Sequence, residues 1–590
     1  MNRKSIVLVL FWLLTFFAAN ANLSSQPTTA LTDIALGKSE LSDAILFFSQ
    51  DWFSLERNFG FRILPARRER LEKLCRQWID NLEKTDFDKL DIDGRVDYIL
   101  FRNHLQRQLQ DLQFEEKLFT EVEPLLPFAR QLMSLVEAQR RMEWVDASKA
   151  AAWLNDFAGQ TRKMQKQLGD AQKTVTNRKA LPSRTIADRA FSLCNQLRQV
   201  LKEWFEFYNG YDPLFTWWLA EPYKDLEQVL QDYAVFLRRQ LVGAATEDDT
   251  VIVGDPIGRE ALLAELTAEM IPYSPEALIA IGQQELAWCE QEMLKASQQL
   301  GFGADWPKAM EHVKNLYVDP GKQPELIRSL ALDATTFLEK NDLLTIPPLA
   351  KENWHIEMLS PQQQLVNPFF TGGDVIDISY PTLTMSHERK IMSLRGNNPH
   401  FARATVHHEL IPGHHLQGFF AERYRAYRGL FNTAFYLEGW PLYWEMLFWD
   451  MNYARSAEDR VGMLFWRMHR CARIIFSLNF HLGKMTPEEC IDFLVKRIGH
   501  ERENAVAEVR RSFNGSYEPL YQCAYMLGGL QLRALAREVA GGGKMTLKAF
   551  HDAVLQENSM PIALLRAKLL GLPLTRDFKY DWNFYPLKAK

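Results

Sequence analysis

The residues best equipped for chemistry lie in one run, His407-His408-Glu409-Leu410-Ile411-Pro412-Gly413-His414-His415-Leu416-Gln417, which gathers four of the chain's thirteen histidines around one glutamate. Imidazoles held on a helix are zinc ligands, and a glutamate among them can act as general base toward a metal-activated water. The familiar form of this chemistry, HExxH, sets two histidines four residues apart on one helix face. Here the residue four after His408 is Pro412. His414 follows His408 by six residues, and in a regular helix that places it roughly 120° away, on the wrong face. His407 and His414 share a face, but at about 1.5 Å per residue they stand about 10 Å apart, too far for one ion. Pro412 and Gly413 offer a remedy, because proline cannot donate to the preceding turn and glycine accepts unusual backbone angles. The expectation is a helix that bulges by two residues and brings His414 beside His408.

A third ligand should lie downstream. Leu437-Glu438-Gly439-Trp440-Pro441-Leu442-Tyr443-Trp444-Glu445 is an aromatic-rich helical stretch. In zinc proteases of the glutamate-ligand type, a glutamate on a following helix completes the set and leaves a position for water, and Glu438 fits that place. Glu445, two turns on along the same face, is placed to orient a ligand histidine. The bland reading, two solvated helix glutamates, is weaker for Glu438, which bulky apolar residues flank, and stronger for Glu445.

At these residues the chain resembles a known family. HELIPGHHLQ followed by LEGWPLYWE closely resembles the signature of the large, mostly bacterial family known as domain of unknown function 885. The blocks Ser274 to Phe302, Tyr517 to Glu538 and Phe550 to Leu565 extend the likeness over most of the chain, weakly at the N-terminal end. The resemblance implies a helical metallopeptidase-like fold related to the glutamate-ligand zinc peptidases, such as angiotensin-converting enzyme and the Taq-type carboxypeptidases. On that carry-over His408, His414 and Glu438 bind zinc and Glu409 is the base. No substrate comes with it. Family members typically show tyrosine-x-x-glycine where this chain has Tyr525 to Gly528, on a stripe with Tyr517 and Tyr521. A phenol there could stabilise the oxyanion of peptide hydrolysis, which makes Tyr525 a catalytic candidate against plain core packing. A histidine near the position of His481 is usual in the family, but the acidic residue often found before it is missing. His481 lies in an apolar helical region that also carries Arg470 and Arg473, and a lone histidine in such a place reads first as a satisfied core residue.

The elements that must position these groups are overwhelmingly helical. Between Lys224 and Leu241, apolar residues recur on one stripe. Ser274 with Pro275 opens a helix that runs to a stop at Gly301, and Thr486-Pro487-Glu488-Glu489 has capping-box spacing. Arg68 to Gln113 and Ala147 to Lys173 also read as helices with solvated charged faces. The pattern breaks between Gly301 and about His400, where Val375 to Tyr380 could form a strand, either a lip for an extended peptide or a small hairpin that packs the loop. Asn397-Asn398-Pro399 closes that loop directly before the histidine helix.

Residues 1–21 read as a signal peptide, with Arg3 and Lys4, an apolar run from Ile6 to Ala19 and an Ala19-Asn20-Ala21 cleavage site. That run is short for a membrane span, which needs about twenty residues. The expectation is an exported protein, periplasmic or extracellular, without stable membrane insertion after cleavage. Removing the leader moves the net charge from −5 to −7, and with no long basic run this argues against nucleic acid as a partner. The six cysteines lack metal-type pairs such as CxxC and read as small buried residues. With 47% hydrophobic residues the chain can bury a large core.

These readings converge on a mainly α fold, a large helical metallopeptidase-like domain spanning 22–590 in two halves around a deep cleft, with at most a small strand element near 372–386. The expected function is a zinc-dependent peptidase with a peptide substrate. Its rivals are a metallohydrolase of another amide or ester, and a helical binding protein whose site has degenerated.

Overall fold

The computed structural model describes residues 37–173, 181–245, 251–364, 372–515 and 517–587. The expected signal peptide lies outside the described residues. The chain is mainly α. Among the described residues seven helices come first, α1 (Ser42–Phe59), α2 (Pro65–Glu83), α3 (Ile92–Val122), α4 (Ala129–Arg140), α5 (Ala147–Lys173), α6 (Arg184–Tyr208) and α7 (Pro213–Phe236). Then come α8 (Gly258–Ala268), α9 (Pro275–Gln299), α10 (Trp306–Lys314), α11 (Gln323–Lys340) and α12 (Pro348–Glu352). Strand β1 (His355–Met358), α13 (Pro361–Gln364), strand β2 (Val375–Ile378) and α14 (His387–Gly396) fill the break in the helical pattern. The site region holds α15 (Pro399–Glu409), α16 (His414–Ala421), α17 (Ala434–Leu437), α18 (Gly439–Asp450) and α19 (Ala457–His481). The chain closes with α20 (Pro487–Phe493), α21 (Arg502–Phe513), α22 (Tyr521–Val539), α23 (Leu547–Glu557) and α24 (Ile562–Leu570).

Several ends follow from the capping residues. The Ser274 side chain accepts from the Ala277 amide at 3.2 Å, with Pro275 at the first helical position. Thr486 and Glu489 make both bonds of the capping box. The stripe from Lys224 to Leu241 changes register at Leu237, where the α-helix gives way to a π-helical turn.

Two hydrophobic cores organise the molecule. One lies among α4–α7, around Leu154, Phe157, Trp204 and Leu230. The larger joins α1, α8 and α9 to the site region and the C-terminal helices. Helix α3 belongs to both, giving Val96 to Leu105 to the large core and Val122 to the smaller one. A cleft of about 1640 Å³ lies between the two halves, lined by Arg189 and Arg238 from one and by Arg389 and Arg510 from the other. α18 is apolar on every face because it runs through the large core, while α19 is buried along most of its length and carries Arg467, Arg470 and Arg473 into the interior. All six cysteines are buried and unpaired, as small core residues.

The sheet departs from expectation in one respect. β1 and β2 pair in parallel, His355 opposite Val375 through Met358 opposite Ile378, so this is not a hairpin. Parallel neighbours cannot be joined by a tight turn and need a crossover. Ile376 and Ile378 pack with Ile327 and Leu330 of α11 and with Ala402 and Val406 of α15. The small sheet therefore braces the back of the histidine helix. Among the described residues, no helix is long and apolar enough to cross a membrane.

Candidate metal centre

Asn398 caps α15, its side chain accepting from the amides of His400 and Phe401 at 3.0 and 3.1 Å, and Pro399 takes the first helical position. The helix carries His407, His408 and Glu409 and then stops. The expected two-residue bulge is instead a full break: Leu410 to Gly413 leave the helix, and α16 starts afresh at His414. Gly413 cannot be replaced in this turn, because a Cβ there would stand 1.7 Å from the His408 carbonyl oxygen. The Gly413 amide donates to the His407 carbonyl at 3.0 Å, and the Trp440 indole donates to the Pro412 carbonyl at 2.7 Å. A new helix direction achieves what a bulge in one helix was expected to do. The His408 and His414 rings lie 5.0 Å apart, nearly perpendicular.

Glu438 falls at the junction of α17 and α18. Its Oε2 is 3.2 Å from His414 Nε2 and 3.6 Å from His408 Nε2, and one ligand atom from each of the three residues lies within 4.8 Å of the others. Bonds of about 2.0–2.2 Å around a tetrahedral ion keep neighbouring ligands roughly 3.4 Å apart, so the donor set fits zinc. Among the described residues Glu438 Oε2 is buried with the two imidazole nitrogens as its neighbours and no well-formed hydrogen bond, and a cation shared by the three groups would satisfy it. Glu445, two turns along α18, accepts from His408 Nδ1 at 2.7 Å, which fixes that ring with Nε2 turned toward Glu438.

The charge states follow from burial and neighbours. Burial alone would lower the His408 pKa, but the Glu438 and Glu445 carboxylates hold it up at about 9. Burial would raise Glu438, yet His414 and His408 hold it well below the usual carboxylate range. For Glu445 burial is likewise outweighed, by the His408 hydrogen bond and the Arg470 charge. Glu409 behaves differently: burial raises its pKa, and among the described residues no hydrogen bond engages its carboxylate. The loop before β2 passes so close that a Cβ on Gly372 would meet Glu409 Oε2 at 2.6 Å.

His408, Glu409, His414 and Glu438 line a cavity of about 450 Å³. Tyr517, Tyr521 and Tyr525 stand in its wall, with Arg470 and Arg473 of α19 and Arg511 of α21. Tyr525 was the phenol singled out from sequence, and its ring lies 6.2 Å from that of His408, but the contact with a candidate ligand belongs to Tyr521, which donates to Glu438 Oε1. Sequence reasoning missed the arginines as site residues; the available signal was charge at Arg470 and Arg473 in the apolar-rich, C-terminal part of α19. The other histidines of the run have separate tasks. His415 bridges the Ala350 carbonyl at 2.7 Å and Asp374 at 3.1 Å, while His407 is buried 4.5 Å from the Phe448 ring and kept neutral by burial, with a pKa near 3. His481 lies outside the cavity, buried against Phe480 and Phe513.

The close approach of α22 explains a motif pair. A Cβ on Gly528 would stand 2.1 Å from the Phe435 carbonyl oxygen and 2.8 Å from Gly439 Cα. The glycines of Glu438-Gly439-Trp440 and of the Tyr525-x-x-Gly528 segment thus touch, and their contact lays the tyrosine helix against Glu438.

A comparison with curated proteins finds no match. Among solved structures, the chain is similar to one from Shewanella oneidensis described as a "putative lipoprotein of unknown function", at 16% identity and TM-score 0.64, covering 90% of this chain and 99% of that one. A second, the "putative lipoprotein" from Colwellia psychrerythraea, is 17% identical with TM-score 0.55, covering 90% of this chain and 98% of the other. Likeness at these identities establishes the fold. Residues 62–569 match the family described as "Bacterial protein of unknown function (DUF885)", and the chain belongs to that family.

Proposed function

We propose that the chain is an exported zinc-dependent peptidase. The observation that carries the reading is the convergence of His408, His414 and Glu438 in a cavity that also holds the Glu409 carboxylate, which no hydrogen bond engages among the described residues. Zinc held by those three residues would supply a Lewis acid that brings the pKa of a water toward about 7. The other steps belong to the protein. Glu409, its pKa raised by burial and its carboxylate without a hydrogen bond among the described residues, takes a proton from the attacking water and passes it to the departing amine. Water adds to the peptide carbonyl carbon, the C–N bond breaks, and a carboxylic acid and an amine leave. The Tyr525 phenol makes no hydrogen bond among the described residues, so it is available to donate to the oxygen that gains charge. Tyr521 and Glu445 are positioning residues, the first fixing Glu438 and the second fixing His408.

Export is supported by the leader pattern of residues 1–21 and by the description of both structural neighbours as lipoproteins. Glu409→Gln tests the function. It should bind one zinc per chain, as the parent does, and lose hydrolysis of a peptide library. Retained hydrolysis would refute the base assignment, and no zinc in either protein would refute the metal centre.

A further inference from the structure

Three guanidinium groups in a half-buried cavity need an explanation that packing does not give. Arg470 and Arg473 lie one helical turn apart on α19 and flank the Tyr525 ring at 4.6 and 4.4 Å. Arg511 reaches the cavity from α21, 5.6 Å from the Tyr517 ring. Two carboxylates pair with them directly, and Glu409, in the same cavity, also feels the Arg470 charge. Glu508 accepts from Arg473 Nε and from Arg511 Nη2, both at 2.6 Å. Glu445 is 3.6 Å from Arg470 Nη2, but it already serves His408. Among the described residues Arg470 Nε, Arg473 Nη1 and Arg511 Nε are buried without a hydrogen-bond partner, and Arg473 as a whole is only 1% exposed. Buried guanidinium donors left unmet are costly, and an arginine is the side chain that grips a carboxylate with paired donors.

We propose that Arg470, Arg473 and Arg511 form a subsite for the free C-terminal carboxylate of a peptide, so that the chain releases one or two residues from the C-terminal end. This rests on the peptidase reading above. The reach agrees: through the Tyr525 ring, the Arg473 guanidinium lies within about 11 Å of the His408 imidazole. Extended residues span at most about 3.3–3.6 Å each, so a carboxylate held there leaves room for one or two residues before the scissile bond. An acidic side chain offers the same carboxylate chemistry, and the test separates the two sources.

The zinc-loaded full chain is given N-acetylated hexa-alanine as free acid, as C-terminal amide, and as an amide with glutamate in the last position. The expected result is a kcat/KM for the free acid about 10–100-fold above the plain amide, with short C-terminal products. Equal rates on free acid and amide would overturn the subsite and leave the peptidase reading standing. Rescue of the amide by glutamate would assign the arginines to a side chain and overturn the terminal assignment. Hydrolysis of none would sink the peptidase reading, and binding then decides the subsite. Calorimetry on Glu409→Gln should show the free acid at least about tenfold tighter than the amide, and equal affinities would overturn it. Arg511→Gln, at a partly exposed position, should remove the preference, and Arg473→Gln should do the same if its melting curve is intact.

Discussion

Replacing Gly528 by alanine should disable the metal centre although residue 528 touches no ligand. The new Cβ would stand 2.1 Å from the Phe435 carbonyl oxygen and 2.8 Å from Gly439 Cα, both of them backbone. Carbon–oxygen contacts settle at about 3.3–3.6 Å, so α22 and the α17–α18 junction must separate by roughly 1.2 Å or more. Glu438 sits between Phe435 and Gly439 and must move with them. Metal sites tolerate about 0.2 Å in a bond, so a shift of that size should weaken zinc binding by about 10–100-fold or more. Overpacking should add about 1–3 kcal/mol of destabilisation to the metal-free protein. The assay is zinc affinity by chelator competition, with thermal melting of the metal-free form beside it. Gly529→Ala is the control, because its Cβ would meet the side chains of Leu442 and Met446 at 3.3 Å, and those can give way. Parental zinc affinity and melting temperature in Gly528→Ala would refute the claim that the glycine contact sets the ligand geometry.

Glu445→Gln should cost about 10–100-fold in zinc affinity by loosening the His408 ring, read by the same competition, and an unchanged affinity would leave Glu445 a structural residue. Tyr525→Phe should lower turnover on a cleaved peptide while zinc content stays at the parental level; equal turnover would remove the phenol from the mechanism. Asp459, which accepts from the Arg455 amide and pairs with His400 and Arg403, has a pKa near 2, because these partners outweigh the upward push of burial. A depressed carboxylate contributes stability above its unfolded value of about 3.9 and loses it as the pH falls toward 2. The stability gap between the parent and Asp459→Asn should therefore be full at pH 6 and shrink below about pH 4 in denaturant titrations. A gap independent of pH would contradict the assignment.

Much of the molecule was legible in the chain because its signals are local. Helical periodicity, Ser274 before Pro275 and the Thr486–Glu489 capping box act within one or two turns, so they survive any packing. The residue types of the centre were legible for a similar reason: histidines around a glutamate, and a glutamate in a buried aromatic helix, have few other uses. The distance between His408 and His414 was not legible, because it depends on how Leu410 to Gly413 turn, and the Trp440 indole from another helix takes part in that turn. Nor was the pairing of β1 with β2, since parallel partners meet only through a crossover. The place of Arg470 and Arg473 was not legible either, because it depends on α19, α21 and α22 sharing one cavity wall. The sequence by itself determined a helical chain of this family with the residue types of the proposed metal centre. The tertiary structure alone decided which carboxylate faces which imidazole, which tyrosine holds Glu438 and where the arginines point. Those are contacts between residues far apart in the chain, and their geometry is set by packing such as the Gly439–Gly528 touch rather than by any local preference.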